Sequence, residues 1–488
     1  MKGARGGTLV PPRDLRLPEA GSAAIRGGAL RTGGYLTGTA LIAAASVLLL
    51  RHLGVTDFGR YVTVMSLVAV VSGLTDAGLT LVGQREYVVA PTPEAKRDLL
   101  ANVLGIRLAV APVGIGLAAL FALAAGYTTA MTLGTLLAGS GLMLAFAAHT
   151  LTTPLTTSLR LGALTITELA RDAVMFAGIG LLVLAGAGLL PFFTPHIAAG
   201  AIQLGLTLAL VGAAATRPRF AFARWWPLIR EAAPVGAALI VNVLYLRALV
   251  VMTSLLASAF ATGLFATSYR ILEVVVGIPT AMMSAAFPIL AHAGSEDEER
   301  LAYALQRLAE VALLVAGLLV LVLAIGAEPI VRILGGHAYA GAGPVLRIQC
   351  FALLGTFAGS VWTAALVAVR RQSALILTNA VAFATILVLG SSLIPVLGAK
   401  GAALAAVIGE AIVALAALAM LVRTRPALAP DPRFVPKLLA AGAAGALCLL
   451  VPGLPALGSA ALAGGVYLAA AAVVRAVPPD LVHALRAR

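Results

Sequence analysis

Stretches of about 20 apolar residues recur along almost the whole chain, and this recurrence decides the fold class. A helix needs about 20 such residues to cross the hydrocarbon core of a bilayer. Apolar residues make up 61% of the 488-residue chain and charged residues only 11%, whereas a soluble domain carries about 25% charged residues. The sequence therefore predicts an all-α polytopic membrane protein.

The apolar stretches give the expected number of membrane spans. They lie at roughly 34–53, 59–83, 99–124, 131–154, 168–190, 194–214, 230–256, 260–290, 304–325, 344–368, 374–396, 401–422, 436–453 and 456–475. Short Pro- and Gly-containing turns separate the fifth from the sixth and the last two from each other. We expect about 14 transmembrane helices.

The distribution of basic residues predicts the orientation of these helices. With the N-terminus placed inside, 26 of the 34 lysines and arginines fall in the inward segments. Cytoplasmic loops are enriched in such residues. The pattern predicts both termini in the cytoplasm, and it argues against a basic stripe that binds nucleic acid.

An internal repeat predicts two similar halves. A shift of 204 residues aligns Gly59 with Gly263 and Thr63 with Thr267, each pair at the start of a span predicted to run inward. The repeat would relate spans 1–6 to spans 7–12 as parallel repeats, an architecture found in transporters with the substrate site between the halves. In a composition rich in Gly, Ala and Val, chance coincidence is the alternative.

The predicted domains follow from this repeat. A cytoplasmic flexible basic tail occupies 1–32 and a six-helix bundle 33–215. A cytoplasmic linker at 216–229 leads to a second six-helix bundle at 230–425. Residues 426–488 form two additional transmembrane helices and a short cytoplasmic tail.

Three arginines lie well inside predicted spans, away from the span ends, and are the candidate binding residues. Charged side chains in hydrocarbon are costly, so Arg107, Arg247 and Arg270 are expected to face a cavity or a partner. Guanidinium groups suit phosphate because they stay charged and present a planar fork of donors. The alternative is local neutralisation: Arg270 is one helical turn from Glu273 and can pair with it, and the other two can snorkel or cap neighbouring helices.

Other polar residues in the spans are candidates for supporting or gating roles. Asp76 lies toward the inner side of the second span, Glu410 near the middle of the twelfth, and Asn242 and Tyr245 share a face of the seventh. No nucleotide-binding Gly-rich loop with Lys and Ser or Thr is present, and the histidines lack metal-ligand spacing. We expect no catalytic residues, no metal site and no cofactor.

The sequence resembles a known family at several motifs in order. Leu53-Gly54, Phe58-Gly59-Arg60-Tyr61, Asp76-Ala77-Gly78-Leu79 and Arg85-Glu86 are similar to the opening of bacterial polysaccharide, or lipid-linked oligosaccharide, flippases. Further matches are Gly263-Leu264-Phe265, the segment YRILE from Tyr269 and FPIL from Phe287. Phe265 departs from the usual Tyr, and the last two helices lie outside the family's twelve.

The resemblance implies a fold, a function and a location. The fold is that of the multidrug/oligosaccharidyl-lipid/polysaccharide exporter superfamily, with two six-helix bundles and alternating access. The substrate is a polyprenyl-diphosphate-linked oligosaccharide carried to the outer leaflet of the bacterial inner membrane for cell-surface polysaccharide synthesis. Its diphosphate gives Arg107, Arg247 and Arg270 a ligand. The expected partners are this lipid-linked glycan and membrane lipids, with glycan-assembly proteins as further candidates.

Two other functions compete with the flippase. A cation-coupled multidrug exporter has the same fold, but such proteins use buried carboxylates in the N-terminal bundle, and the first span has none. A polytopic glycan polymerase or ligase needs a large outward loop for its catalytic groups, and the longest outward connection here, about 326–343, has no room for one.

Overall fold

The computed structural model describes residues 18–158, 160–212, 216–296, 298–371, 373–450 and 454–477. These residues form sixteen α-helices joined by short turns, with no strand among them. The predicted N-terminal tail lies in part, at residues 1–17, outside the described residues, and so does the C-terminal tail from 478 onward. The first helix begins at Pro18, inside the segment predicted as a flexible tail.

The helices are numbered in chain order. They are α1 Pro18–Asp76, α2 Leu79–Val89, α3 Pro93–Ala124, α4 Thr129–Leu151, α5 Thr153–Thr157, α6 Leu161–Leu184, α7 Pro195–Val211, α8 Phe222–Leu256, α9 Ala259–Glu296, α10 Glu298–Gly335, α11 Ala342–Gln349, α12 Ala352–Ala368, α13 Ser373–Leu397, α14 Ala399–Thr424, α15 Phe434–Ala446 and α16 Ala456–Val473.

Eleven segments of the described chain are long and apolar enough to cross a membrane. One of them, Gly33–Val89, holds two of the predicted spans, because α1 changes direction at Gly54, whose φ of 69° lies outside the helical range. Helix α6 is not among the eleven and carries three charged residues. The segment Phe434–Leu449 is apolar but shorter. The chain is a multi-pass, all-helical membrane protein, and the arrangement of fourteen spans as two repeats stays a prediction.

The helices group into two compact units. The first comprises Met1–His52 and Leu67–Ile240, and the second comprises Leu53–Ser66 and Val241–Arg488. The predicted domain boundaries at 215 and 230 stay predictions.

Small residues let the helices of the first unit approach each other closely. In the contact between α4 and α7, a side chain on Gly141 would overlap the backbone of His196, and one on Gly200 would overlap the carbonyl of Gly141. Close backbone approach through small residues is the usual way in which membrane helices gain packing energy, since lipid removes most of the hydrophobic driving force. Gly141 and Gly200 therefore serve the association of α4 with α7.

The helices of the second unit also approach closely at a glycine, and the last helix adds a polar contact. Gly355 of α12 lies against the backbone of Glu410 in α14. In α16, Tyr467 is buried and its hydroxyl donates to the Leu314 carbonyl of α10 at 2.9 Å. This bond satisfies both polar groups away from water, so α16 packs specifically against the second unit.

A nearly symmetric helix crossing joins residues 53–66 of α1 to the start of α9. A side chain on Gly59 would overlap the carbonyl of Ala259, and a side chain on Gly263 would overlap the carbonyl of Val55. Each glycine is followed by a threonine that donates to its carbonyl: Thr63 to Gly59 at 2.9 Å and Thr267 to Gly263 at 2.7 Å. The residues aligned by the 204-residue shift thus make equivalent contacts, which supports the predicted repeat at this place.

Candidate functional site

Two of the three predicted arginines meet at one carboxylate in the second unit. Arg247 of α8 donates from Nη1 to Glu273 Oε1 at 3.2 Å, and Arg270 of α9 donates from Nη1 to Glu273 Oε2 at 2.8 Å. Arg270 and Glu273 face the same side of α9 because they lie one helical turn apart. The structure therefore brings Arg247, Arg270 and Glu273 into a single cluster.

This cluster contains two positive charges and one negative charge, and its side chains are partly exposed. Two guanidinium groups share a single carboxylate, so one positive charge is left uncompensated among the three. The side chains of Arg247, Arg270 and Glu273 are 30%, 41% and 25% exposed. Each arginine has five N–H donors, and one carboxylate accepts only a few of the ten. An anion could pair with these guanidinium groups in competition with Glu273.

A second pair of predicted residues meets at a carboxylate in the same unit. Tyr245 of α8 donates its hydroxyl to Glu410 Oε1 at 2.7 Å, and Thr356 of α12 donates to Glu410 Oε2 at 2.9 Å. Tyr245 is buried, and Asn242 lies half-buried one turn before it on α8. The three helices are thus tied together at a titratable group inside candidate membrane spans.

The remaining two predicted residues form an ion pair in the first unit. Arg107 of α3 contacts Asp76 at the end of α1 through Nη2, and the same nitrogen donates to Thr80 Oγ1 at 2.6 Å. Its Nη1 donates to Thr150 Oγ1 of α4 at 2.7 Å. The side chain of Arg107 is only 2% exposed. In this conformation the guanidinium is committed to protein partners and does not present an open face to a ligand.

Sequence reasoning did not single out the threonines that complete these clusters. Thr80, Thr150 and Thr356 each supply a hydroxyl to a charged side chain. Threonine is common in apolar helices, where its hydroxyl can bond the backbone of the preceding turn. A threonine at these positions therefore does not predict a contact with a charged side chain. Across the described part of the chain, no group of three or more His, Cys, Asp or Glu side chains is arranged to hold a metal ion.

A comparison with protein families assigns the chain. The sequence model described as "Polysaccharide biosynthesis protein" matches residues 25–294, more than half of the chain. The chain belongs to this family. The predicted membership is therefore confirmed, and the match covers the motifs from Leu53 to Leu290 that suggested it. Comparison with the sequences of curated proteins gives no significant match.

Several solved structures of transporters share the fold of this chain. The lipid II flippase MurJ in an inward closed conformation matches with a TM-score of 0.77 at 13% identity, over 93% of this chain and 99% of MurJ. An inward-facing multidrug resistance MATE family transporter of the MOP superfamily matches with a TM-score of 0.63 at 14% identity, over 80% and 95% of the two chains. A MOP superfamily transporter from Pyrococcus furiosus reaches a TM-score of 0.56 at 13% identity, over 84% and 96%. At such identities the similarity shows the fold.

Proposed function

We propose that the protein flips a polyprenyl-diphosphate-linked oligosaccharide from the cytoplasmic to the outer leaflet by alternating access, for cell-surface polysaccharide synthesis. Family membership links the chain to polysaccharide biosynthesis, and the fold is shared with a lipid II flippase. The role is that of a transporter and involves no catalysis. The proposed location is the bacterial inner membrane with both termini in the cytoplasm, as the distribution of arginine and lysine predicts.

The observation that carries this proposal is the sharing of Glu273 by Arg247 and Arg270. A diphosphate offers several oxygens to guanidinium forks, and such charge-assisted bonds are about twice as strong as neutral ones. In the empty protein, Glu273 offsets part of the cost of two cations inside a membrane span. When the lipid diphosphate binds, we propose that it competes with Glu273 for the two guanidinium groups, and that Glu273 recaptures them after release.

The other predicted residues have supporting places in this proposal. Arg107 reaches a substrate only if its network with Asp76 opens, so we propose that this pair gates or stabilises one conformation. Tyr245 and Glu410, with Asn242 beside them, tie α8 to α14 and are proposed to transmit movement between these helices. These roles rest on the contacts described above and on the predicted alternating access.

Removal of the shared arginines tests the proposal. The experiment measures translocation of a fluorescent polyprenyl-diphosphate glycan in proteoliposomes with equal amounts of protein. We expect Arg247→Ala and Arg270→Ala each to slow translocation about tenfold, because loss of one charge-assisted bond of ~1.5 kcal/mol has about that effect. We expect the double variant to show no translocation.

Arg307→Ala is the matched control. Arg307 pairs with Glu310 one turn away at 2.8 Å, the same geometry as the pair of Arg270 with Glu273, but it lies on α10 and outside the cluster. Normal translocation by the Arg247→Ala/Arg270→Ala variant would contradict the site. Failure of the unaltered protein to translocate the glycan would contradict the function itself.

A cation-coupled multidrug exporter is the second candidate, because Glu410 places a titratable carboxylate in a candidate span. Carboxylates at this depth often carry protons or bind cations in transporters. Export of a cationic dye by proteoliposomes under a proton or sodium gradient, lost in Glu410→Gln, together with no movement of the lipid-linked glycan, would favour this function over the flippase.

A further inference from the structure

A basic cleft in the first unit lies apart from the residues assigned to transport. It has a volume of about 780 Å³ and joins the start of α3 to the connection between α7 and α8. Its charged lining consists of Arg97, Arg217, Arg219 and Arg224, with Glu94 and Asp98. Four cations face two carboxylates, so the cleft is complementary to an anion.

Backbone contacts fix the basic connection against α3. The Arg219 amide donates to the Ala101 carbonyl at 2.9 Å. A side chain on Gly105 would overlap the Arg219 carbonyl, so the connection lies directly on the surface of α3. Both Arg219 and Arg224 form ion pairs with Asp98. One carboxylate therefore orients two guanidinium groups and neutralises only one of them.

Exposed aromatic side chains lie beside this cleft, at the start of a candidate membrane span. Phe222 and Trp226 lie one turn apart on the first turns of α8 and are 70% and 68% exposed. Trp225 packs inward against Phe222, with ring centroids 4.6 Å apart. Aromatic residues are concentrated where a membrane span meets water. Helix α7 ends at Val211 and α8 begins at Phe222, and both are candidate spans, so the connection between them lies at that boundary.

We propose that this surface binds the phosphate groups of anionic phospholipids in the cytoplasmic leaflet. Phe222 and Trp226 enter the interfacial region, while Arg217, Arg219 and Arg224 contact lipid phosphates from the cleft. Arginine suits this role because its fork of donors matches phosphate oxygens. Basic segments next to a membrane span are attracted to the negative surface of the cytoplasmic leaflet. The lipid is a component of the surrounding membrane and differs from the transported substrate.

Lipid binding to the full-length protein tests this inference. Purified protein in a neutral detergent is titrated with phosphatidylglycerol or phosphatidylcholine, and bound lipid is counted by native mass spectrometry. We expect phosphatidylglycerol to bind more tightly than phosphatidylcholine. We expect the Arg217→Gln/Arg219→Gln variant to bind phosphatidylglycerol about tenfold more weakly, because it loses two of the basic residues that attract the negatively charged lipid.

Arg371→Gln/Arg423→Gln is the control, because it removes the same charge from two exposed arginines outside the cleft. Equal loss of phosphatidylglycerol binding in both variants, or no preference over phosphatidylcholine, would overturn the inference. If inorganic phosphate at equal concentration displaces phosphatidylglycerol, the cleft binds free anions and the lipid assignment fails. Thermal unfolding checks the fold of the double variant, and Arg217→Gln alone repeats the measurement if that variant is unstable.

A second arm tests the aromatic side of the surface. The chain has three tryptophans, so a variant with Trp225→Phe and Trp362→Phe reports on Trp226 alone. In bilayers with brominated lipid chains, we expect strong fluorescence quenching by bromine near the headgroup and weak quenching by bromine at the chain end. Absence of quenching at any depth would show that this surface does not meet the membrane. These results do not depend on glycan translocation, so they separate this inference from the proposed function.

Discussion

At the scale of single residues, the arginines of the two clusters differ in their burial and in their bonding partners. Arg107 is buried and bonded to Asp76, Thr80 and Thr150, so its guanidinium group connects α3 to the neighbouring helices. Arg247 and Arg270 remain partly exposed, and both donate to Glu273. All three lie inside spans and look alike in the sequence. Burial and partners, which depend on neighbouring helices, distinguish Arg107 from the two arginines proposed to bind substrate.

Arg107→Ala is expected to destabilise the protein by about 3 kcal/mol, because removal of the buried partner leaves the Asp76 carboxylate, which is only 26% exposed, without its cation. The double variant Arg107→Met/Asp76→Leu is expected to recover much of this loss, since no uncompensated charge remains. The measurement is thermal unfolding of the purified single and double variants in detergent. Losses that simply add would show that the two side chains do not interact energetically.

Glu410→Gln is expected to preserve stability within about 1 kcal/mol. The amide oxygen of Gln can still accept the hydrogen bond from Tyr245 or Thr356, and a neutral bond of this kind contributes about that much.

If Glu410 carries a proton during transport, the same variant loses the dependence of translocation on the pH gradient. Tyr245→Phe is the companion variant, since it removes one bond to Glu410 and keeps the carboxylate. Unchanged pH dependence in Glu410→Gln would exclude a coupling role.

At the scale of helices, the turn at Gly54 and the crossing at Gly59 show what the sequence can and cannot predict. The prediction of a break between the first two spans is met by the φ of 69° at Gly54. The repeat alignment paired Gly59 with Gly263, and these two positions make equivalent contacts. It gave no indication that these two glycines contact each other's helices, because a contact between distant segments depends on tertiary packing. The predicted spans at 168–190 and 436–453 also differ from the bounds of α6 and α15. Charged residues in α6 and the short length of α15 make the ends of an apolar segment hard to recognise in the sequence.

Gly263→Ala is expected to cost about 1–3 kcal/mol, the usual price of overpacking a tight contact, because its new methyl group meets the Val55 carbonyl. Gly277→Ala is the control on the same helix, where a methyl group has open space. We also expect Gly263→Ala to slow translocation by preventing closure of the crossing.

The opening of that crossing can be measured directly. Val55 is buried beside Gly263, and the two native cysteines are buried as well, so a Val55→Cys substitution gives a selective site for maleimide. Labelling should be faster in the Gly263→Ala background than in the Gly277→Ala background. Equal rates in the two backgrounds would mean that the added methyl group is accommodated without separation of α1 and α9.

At the scale of the whole molecule, hydropathy and charge predicted the class of protein, and motifs predicted its family. The number of spans was harder to fix, since α1 runs through a turn and α6 carries three charges within a membrane-type helix. The proposed site was predicted only as a set of residues. These residues divide into the cluster at Glu273, the cluster at Glu410 and the pair at Asp76. This division could not be predicted, because it depends on which side chains from other helices lie next to each residue.

The predicted topology can be tested with two cysteine substitutions at exposed positions. His337 lies in the turn after α10 and Arg371 in the turn before α13. With intact cells, we expect a membrane-impermeant maleimide to label His337→Cys from outside and to label Arg371→Cys only after permeabilisation, because alternate loops face opposite sides. Labelling of Arg371→Cys in intact cells would reverse the assigned orientation.

The crossing of Gly59 and Gly263 also bears on how such a chain can evolve. Contacts made twice by equivalent residues are the geometry of an isologous interface between two copies of one subunit. In a homodimer of a half-length ancestor, a single glycine codon would have served both contacts. After fusion the two codons can mutate separately, yet a side chain at either position obstructs the same crossing. A duplication of this kind would leave the two halves free to diverge elsewhere, while the crossing restricts both of these positions to a residue without a side chain.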